Sequence, residues 1–345
     1  VCGFLQGENT LAQGQLLEST PSWDNSLDLQ DIIGQPQAKR ALEITAAGGH
    51  NLLLLGPPGT GKTMLANRLT GLLPPLTDQE ALEAAAINGL LHSNDLPAQW
   101  RCRAFRAPHH SASMAALIGG GSIPRPGEIS LAHNGVLFLD ELPEFERRVL
   151  DSLREPLESG EIIISRAAAK VCFSAKVQLI AAMNPSPSGH YQGVHNRTPP
   201  QQILRYLAKL SGPFLDRFDL SIEVPLLPSG MLGAQRHQGE SSETVRLRVL
   251  QARQRQLDRA GKINSQLNSQ EVAEYCSLTP ENAAFLEQVL LTLGLSVRAW
   301  HHILKVARSI ADLAQENNIQ RNHLSEALSY RCMDRLLLQL HKSLM

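Results

Sequence analysis

Short apolar runs alternate with amphipathic stretches along roughly the first 235 residues of the chain. Three runs bounded by turn residues are typical of strands buried on both faces, namely residues 51–56, 136–139 and 178–182, and a weaker fourth covers residues 220–224. Helical patterns lie between them. Residues 36–47 begin with a proline and precede Gly48-Gly49, and residues 77–88 open on Thr77 and Glu80 in capping-box spacing. Strands that alternate with helices predict a doubly wound α/β sheet.

Beyond about residue 235 the strand patterns end and helical patterns replace them. Four stretches predict helices, namely residues 242–260, 279–293, 296–314 and 322–340. We therefore predict an α/β unit over residues 29–235 and a small all-α domain over residues 236–345. Residues 1–28 are polar and rich in Gly, Gln and Ser, and the chain begins with Val1. We interpret them as a linker or the tail of an upstream segment.

The charge balance limits the kind of partner that the chain can bind. Its 345 residues include 32 Lys and Arg against 33 Asp and Glu, a formal net charge of −1. This balance excludes a globally basic nucleic-acid coat, so an anionic partner has to be bound locally. No apolar run approaches the roughly 18 residues of a membrane span. The five cysteines form no Cys-x-x-Cys pair, which fits unpaired thiols in a reducing compartment. We expect a cytoplasmic protein without a membrane partner.

One glycine-rich segment matches the phosphate-binding pattern Gly-x-x-x-x-Gly-Lys-Thr and lies between a predicted strand and a predicted helix. Its residues are Gly56, Pro57, Pro58, Gly59, Thr60, Gly61, Lys62 and Thr63. The backbone N–H groups and the helix N-terminus suit phosphate oxygens. Lys62 is expected to reach the β- and γ-phosphates of ATP, and the Thr63 hydroxyl to bind Mg²⁺. A chance glycine-rich turn, the alternative, does not account for the strand, the lysine and the hydroxyl together.

Polar residues also end the next two predicted strands. Asp140 and Glu141 directly follow residues 136–139, and Asn184 follows the third run. Because ligands bind at the carboxyl ends of strands in open α/β sheets, Asp140 is expected to hold the metal and Glu141 to polarise the attacking water. Two adjacent surface acids are the alternative, against which the four preceding apolar residues argue. Asn184 could orient the water, although Asn-Pro is also an ordinary turn starter. Together these features predict an ATPase.

Six segments resemble the AAA+ ATPases, specifically the magnesium-chelatase-like branch and its YifB/ComM group. They are residues 31–35, 56–63, 105–113, 127–135, 139–145 and 215–219. The resemblance implies a P-loop NTPase core with a parallel sheet, a helical carboxyl-terminal lid and the use of ATP with Mg²⁺. It places Ile33 among the nucleotide-binding residues. In this group the motor follows a Lon-like amino-terminal domain, which implies such a domain upstream of this chain.

The resemblance also assigns two arginines to the hydrolysis of ATP. Arg217 corresponds to the arginine finger that reaches a neighbouring subunit's nucleotide, where a guanidinium stabilises the charge on the transferred phosphoryl group. An ion pair with Asp216 or Asp219 in the same chain is the alternative. Arg298 resembles the sensor-2 arginine that couples nucleotide state to the position of the lid. Both roles imply a ring, expected to be a homohexamer.

Members of this branch carry two insertions that face the central pore. The first corresponds to residues 111–133, with Arg125 on a loop or ribbon tip, and the second to the hairpin at residues 161–174. Arg166 and Lys170 flank the turn of that hairpin. Several copies of such a tip would form a basic collar that binds DNA phosphates without reading sequence. A solvated charged hairpin is the alternative.

Three other groups of residues carry weaker indications. His109 and His110 are adjacent, which favours a structural role or pore polarity over metal binding. His190 and His195 lie in a loop that is cysteine-rich and resembles a zinc site in many relatives, but two histidines alone predict none here. Five arginines in the first helix of the all-α domain favour a solvated face that could also touch DNA or a neighbour: Arg246, Arg248, Arg253, Arg255 and Arg259.

The family resemblance implies an ATP-driven hexameric DNA translocase or helicase, because relatives in the group act in branch migration during natural transformation. A metal-chelatase motor subunit that works on a partner enzyme is a second hypothesis. A remodelling motor that serves a Lon-like domain is a third. The segments at residues 31–34 and 109–113, with the implied upstream domain, favour the first.

Overall fold

The computed structural model describes residues 27–91, 100–121, 124–166, 169–191, 198–228, 230 and 239–344. Five parallel strands form the central sheet in the order β2-β5-β8-β1-β9. They are β1 (Leu52–Leu55), β2 (Phe105–Arg106), β5 (Val136–Leu139), β8 (Gln178–Met183) and β9 (Leu220–Glu223). The four predicted strands and the α/β class are confirmed. The two-residue edge strand β2 was not predicted, because it is too short to show a pattern.

Helices cover both faces of this sheet. In chain order they are α1 (Pro36–Gly48), α2 (Lys62–Asn67), α3 (Leu69–Leu72), α4 (Asp78–Gly89), α5 (Met114–Ile118), α6 (Glu128–Leu131), α7 (Arg147–Ser152), α8 (Arg154–Ser159), α9 (Pro200–Leu207) and α10 (Gly212–Leu215). The predicted caps are present, since α1 ends at Gly49 in the left-handed conformation and Thr77 and Glu80 form the capping box of α4.

The side chains of β1 explain why its sequence is uniformly apolar. Leu52 and Leu54 lie in a cluster with α1, whereas Leu53 and Leu55 lie in a second cluster with α7. All four are buried. Because side chains alternate between the two faces of a strand, a strand with a helical layer on each face needs apolar residues at every position.

Two small antiparallel units extend from the core. The first, here called the ribbon, pairs β3 (Gly119–Gly120) with β4 (Arg125–Pro126). The second, here called the hairpin, pairs β6 (Glu161–Arg166) with β7 (Ala169–Ser174). A Cβ atom added to Gly119 would lie 3.1 Å from Cδ1 of Ile164, so the ribbon packs directly against the hairpin.

The carboxyl-terminal part is helical, as predicted. It comprises α11 (Ser242–Ala260), α12 (Ser269–Tyr275), α13 (Pro280–Leu293), α14 (Val297–Leu313), α15 (Arg321–Ser329) and α16 (Cys332–Lys342). The seven-residue α12 was not predicted. Helix α11 packs against α1 and α3, so this region shares an apolar cluster with the core.

The prediction of one continuous helix over residues 322–340 is wrong. The chain leaves the helical conformation at Tyr330 and Arg331, between α15 and α16. There the backbone N–H of Ser221 donates to the carbonyl of Tyr330 (2.6 Å), and the N–H of Met333 donates to the Ser221 hydroxyl (3.0 Å). The segment between α15 and α16 is thus hydrogen-bonded to the edge strand β9. The hydrophobic periodicity of residues 322–340 does not show this interaction.

The arginines of α11 bind within the chain instead of forming a solvated face. Arg246 donates to the carbonyl of Gly71 and Arg253 to that of Ala46, near the carboxyl ends of α3 and α1. The other three bind side chains: Arg248 with Glu43 and Glu240, Arg255 with Asn317, and Arg259 with Asp312 and Asn264. These bonds fix α11 to the core and to α14, which corrects the expected solvated face.

Candidate nucleotide site and arginine edge

The predicted P-loop joins β1 to α2 at the carboxyl end of the sheet. Gly59 and Gly61 have φ values of 78° and 87°, in the left-handed region that favours glycine. At Gly56 a Cβ atom would lie 2.2 Å from the carbonyl oxygen of Val224, so no larger residue fits. The glycines of the motif thus follow from backbone conformation and close packing, and they leave a turn that suits phosphate oxygens.

The Lys62 ammonium occupies the inside of this turn. Its Nζ donates to the carbonyl oxygens of Gly56 (2.7 Å) and Pro57 (2.8 Å) and to Oδ1 of Asn184 (3.2 Å). Burial lowers the pKa of Lys62, and the nearby Asp140 and Glu141 carboxylates partly offset this effect. The structure therefore brings together predicted site residues that follow three different strands, namely Lys62 after β1, Asp140 and Glu141 after β5, and Asn184 after β8.

Beside the lysine, Thr63 and Asp140 are in direct contact. The Thr63 hydroxyl donates to Oδ2 of Asp140 at 2.7 Å, and the Glu141 backbone N–H donates to Oδ1 at 2.9 Å. A hydroxyl and a carboxylate are the hard oxygen ligands that Mg²⁺ prefers. The donor set at this point thus fits the magnesium ion that accompanies ATP.

Glu141 has an unusual backbone conformation and a partner that was not predicted. Its φ of 51° lies in the left-handed region, and its carboxylate is 59% exposed. Oε2 of Glu141 lies 3.2 Å from Nδ1 of His110, whose ring contacts that of His109 at a tilt and meets Phe145 edge-on. No spacing along the sequence indicated this contact, because the loop after β2 brings His110 across the sheet edge.

The segment before α1 lies at the same edge. Ile33 is half-buried, and the nearby Gln35 side chain donates to the carbonyl of Pro225 at 2.7 Å, just beyond β9. Val224, which precedes Pro225, is the residue whose carbonyl oxygen packs against Gly56. Ile33 thus belongs to a segment that the Gln35 bond holds beside the end of β9.

Arg217 and Arg298 lie at the opposite edge of the sheet. Arg217 precedes β9, and Asp219 beside it accepts from the backbone N–H of Asn51, which precedes β1 (2.9 Å). Arg298, in the first turn of α14, lies 3.7 Å from Asp216. The structure therefore groups the two arginines with each other and not with the P-loop of their own chain.

Asp219 is the best-buried acid at this arginine edge. Burial alone would raise its pKa, but the hydrogen bond with His302 and the nearby His50 ring hold the pKa well below its usual range. Arg217 does not pair with either flanking acid and instead forms an ion pair with Glu158. Glu158 was not a candidate in the sequence, since it lies 59 residues away along the chain.

The predicted DNA residues lie on the ribbon and the hairpin. Arg125 and Lys170 are both exposed, and neither forms an ion pair with a residue that the structure describes. For Arg166 the structure describes the backbone, which pairs with Ala169. His190 lies in the described part of its loop, whereas His195 lies outside the described residues. Within the described chain no group of three or more His, Cys, Asp or Glu side chains could hold a metal ion.

Comparison with known proteins places these features in a family. The fold and the site define a P-loop nucleotide-binding protein. A model of magnesium chelatase, subunit ChlI, matches residues 28–232, and the model of its C-terminal part matches residues 239–331. Since the first model matches more than half of the chain, this protein belongs to the magnesium-chelatase-like family of AAA+ ATPases, as its motifs indicated.

Individual relatives agree with this assignment. Competence protein ComM of Haemophilus influenzae is 64% identical over 344 residues, which cover 99% of this chain and 68% of the relative. Uncharacterized protein YifB of Escherichia coli is 60% identical over 344 residues, 100% of this chain and 68% of the relative. The magnesium-chelatase 38 kDa subunit of Cereibacter sphaeroides is 26% identical over 215 residues, 56% of this chain and 57% of that protein. None of the described helices combines the length and apolar composition needed to cross a bilayer.

Proposed function

We propose that this chain is an Mg²⁺-dependent ATPase that works in a ring of identical subunits, a hexamer, and drives DNA through it. The observation that carries the proposal is the separation of the P-loop and the two arginines. Strand β1 has four residues, so at about 3.3 Å per residue it separates the two edges by about 13 Å. Arg217 therefore cannot reach the nucleotide of its own P-loop and would serve a neighbour's, as would Arg298.

Each residue of the nucleotide edge has a role that its geometry supports. Lys62 would exchange the carbonyls of Gly56 and Pro57 for the β- and γ-phosphates of ATP. Thr63 and Asp140 would hold Mg²⁺, which neutralises phosphate charge. Glu141 would release His110 and accept a proton from the attacking water, which Asn184 would orient.

The arginine edge would complete the site across a subunit boundary. Arg217 would stabilise the charge that develops on the γ-phosphoryl oxygens, a contribution of about 10³- to 10⁵-fold in other phosphoryl-transfer enzymes. Arg298, half exposed near Asp216, would contact the same phosphates and report their presence to α14. A head-to-tail interface of this kind closes into a ring when the rotation between subunits permits it.

The DNA part of the proposal rests on the ribbon and the hairpin. They pack together, and each presents an exposed cation, Arg125 and Lys170. Repeated around a ring, these side chains would contact DNA phosphates without reading bases. The likeness to a competence protein supports a DNA-related role. Within that role, the activity that we propose is branch migration and integration of incoming strands during natural transformation. Such an activity would operate in the cytoplasm.

The test is ATP hydrolysis in the presence of forked, four-way, duplex and single-stranded DNA. We expect stimulation that is greatest with branched substrates. Glu141→Gln should bind ATP normally and lose turnover, whereas Glu146→Gln, an exposed acid without an ion-pair partner among the described residues, should behave as wild type. Stimulation by a protein partner and not by DNA would instead favour a chelatase-type motor, for which the Cereibacter relative is the precedent.

A further inference from the structure

Glu158 is the acid that binds Arg217, the predicted arginine finger, although Asp216 and Asp219 lie much closer to Arg217 in the sequence. Asp216 lies beside Arg298, and Asp219 is occupied by His302 and by the backbone N–H of Asn51. The Arg217 side chain is 14% exposed, so in the single chain it is folded against its own subunit. A finger in this position is not available to a neighbour's nucleotide.

Glu158 lies at the junction of α8 and the hairpin, in the last turn of α8 and three residues before the hairpin begins. The junction between them is closely bonded. Gly160 ends α8 by donating to the carbonyl of Pro156 (2.9 Å), and its own carbonyl accepts from Ala175 at the other end of the hairpin (2.7 Å). The Ser159 hydroxyl contacts the carbonyl of Glu161 at 3.0 Å. A displacement of the hairpin base would therefore displace Glu158 as well.

The environment of the ion pair between Glu158 and Arg217 allows this pair to separate. The Glu158 carboxylate is 67% exposed, so water competes for this partner of the pair and weakens it. On the other side, Nε of Arg217 is buried and has no hydrogen-bond partner in the described structure. A γ-phosphate offers more negative charge and more acceptor oxygens than one carboxylate, so it can replace Glu158 once it comes within reach.

From these contacts we infer that Glu158 is a positioning residue that withholds Arg217 from the neighbouring subunit's ATP until the hairpin moves. DNA that engages the hairpin would shift α8, release the finger and accelerate hydrolysis in the next subunit. The inference rests on the proposed finger role of Arg217 and on the proposed contact between the hairpin and DNA. It adds a specific route by which the DNA-facing hairpin of one subunit controls hydrolysis at the adjacent site.

The experiment compares Glu158→Gln with wild type in steady-state ATP hydrolysis, with and without forked DNA. Removal of one ion pair whose carboxylate is exposed should raise basal kcat about two- to fivefold, with an unchanged KM for ATP, and should bring the stimulation ratio towards one. Glu158→Asp, which keeps the charge on a shorter side chain, should restore part of the stimulation. Glu155→Gln is the matched control, since it lies one turn earlier in α8 and forms no ion pair with a described residue.

Two results would overturn the inference, and they are distinguishable. If Arg217→Ala loses turnover while Glu158→Gln keeps the wild-type basal rate and stimulation, the finger role stands and the coupling role falls. If Arg217→Ala retains wild-type turnover, the finger assignment fails and the inference fails with it. A thermal unfolding midpoint for Glu158→Gln equal to that of Glu155→Gln would show that a change in activity does not arise from unfolding.

Discussion

A mixing experiment tests whether each nucleotide site is shared between two subunits. Lys62→Ala removes the phosphate-binding lysine but leaves Arg217 intact, and Arg217→Ala does the reverse. Because the two residues lie at opposite edges of the sheet, each variant would lack one half of every interface in the proposed ring. Each alone should be at least about 100-fold slower than wild type, given the contribution of such residues in related chemistry.

Random assembly of the proposed ring sets the expected magnitude of recovery. In a head-to-tail ring assembled at random from equal amounts of the two variants, about one interface in four joins the intact P-loop of an Arg217→Ala subunit to the intact arginine of a Lys62→Ala subunit. If the interfaces act independently, the mixture should reach about one quarter of the wild-type rate per subunit. Cooperative hydrolysis around the ring would lower this fraction, but it would remain far above the sum of the separate variants.

The assay is phosphate release after subunit exchange, measured over a range of mixing ratios. The control mixture combines Lys62→Ala subunits with Glu141→Gln subunits. Both substitutions lie at the nucleotide edge, so every subunit in this mixture has a defective nucleotide edge and an intact Arg217. No arrangement of those subunits completes a site, so no recovery is expected. Recovery in the control, or none in the test mixture when exchange is demonstrated by fluorescence, would refute the placement of the arginine in trans.

Two further predictions follow from other contacts. Lys170→Ala should weaken DNA binding for all sequences and reduce the slope of log affinity against log salt by about 0.7 to 0.9 for each DNA phosphate that the variant no longer neutralises; anisotropy titrations across a salt series, with Lys342→Ala as the exposed control, measure this. Burial lowers the pKa of His133, although Glu83 opposes the effect, and Nδ1 of His133 accepts from the backbone N–H of Lys176, a bond that protonation would remove. The unfolded chain therefore binds a proton at His133 near pH 6.5, whereas the folded chain binds this proton only at lower pH. The free energy of unfolding should therefore fall as the pH drops below 6.5. His133→Gln should flatten this dependence when unfolding midpoints are compared at about pH 7.5 and about pH 5.5, and an equal slope in both proteins would contradict it.

The nucleotide edge was predictable because its signals are local. An apolar run buried on both faces identifies a strand, and the polar residue that follows it marks the carboxyl end. Three such junctions, at Gly56, Asp140 and Asn184, meet at one edge because the strands are parallel. No distant contact is needed to reach this conclusion.

The contacts that were missed all join residues far apart in sequence. Glu158 meets Arg217 across 59 residues, and His110 meets Glu141 through a loop whose path no periodicity determines. The arginines of α11 also show this limit. Two of these arginines bind backbone carbonyls. Because every residue type has a backbone carbonyl, the sequence does not mark these partners, and from sequence alone the charged helix face is interpreted as solvated.

The break before α16 bears on how this protein should be dissected. Beyond the break, Met333, Leu336 and Leu340 fill the apolar layer on the hairpin side of the sheet, against α9 and β9. A recombinant fragment that stops at residue 331, where the match to the C-terminal family model ends, would leave that layer uncovered and prone to aggregation. A shortened version intended for crystallisation should therefore retain residues through Lys342, and protease trimming of α16 should impair ATP hydrolysis although it removes none of the residues proposed to touch ATP.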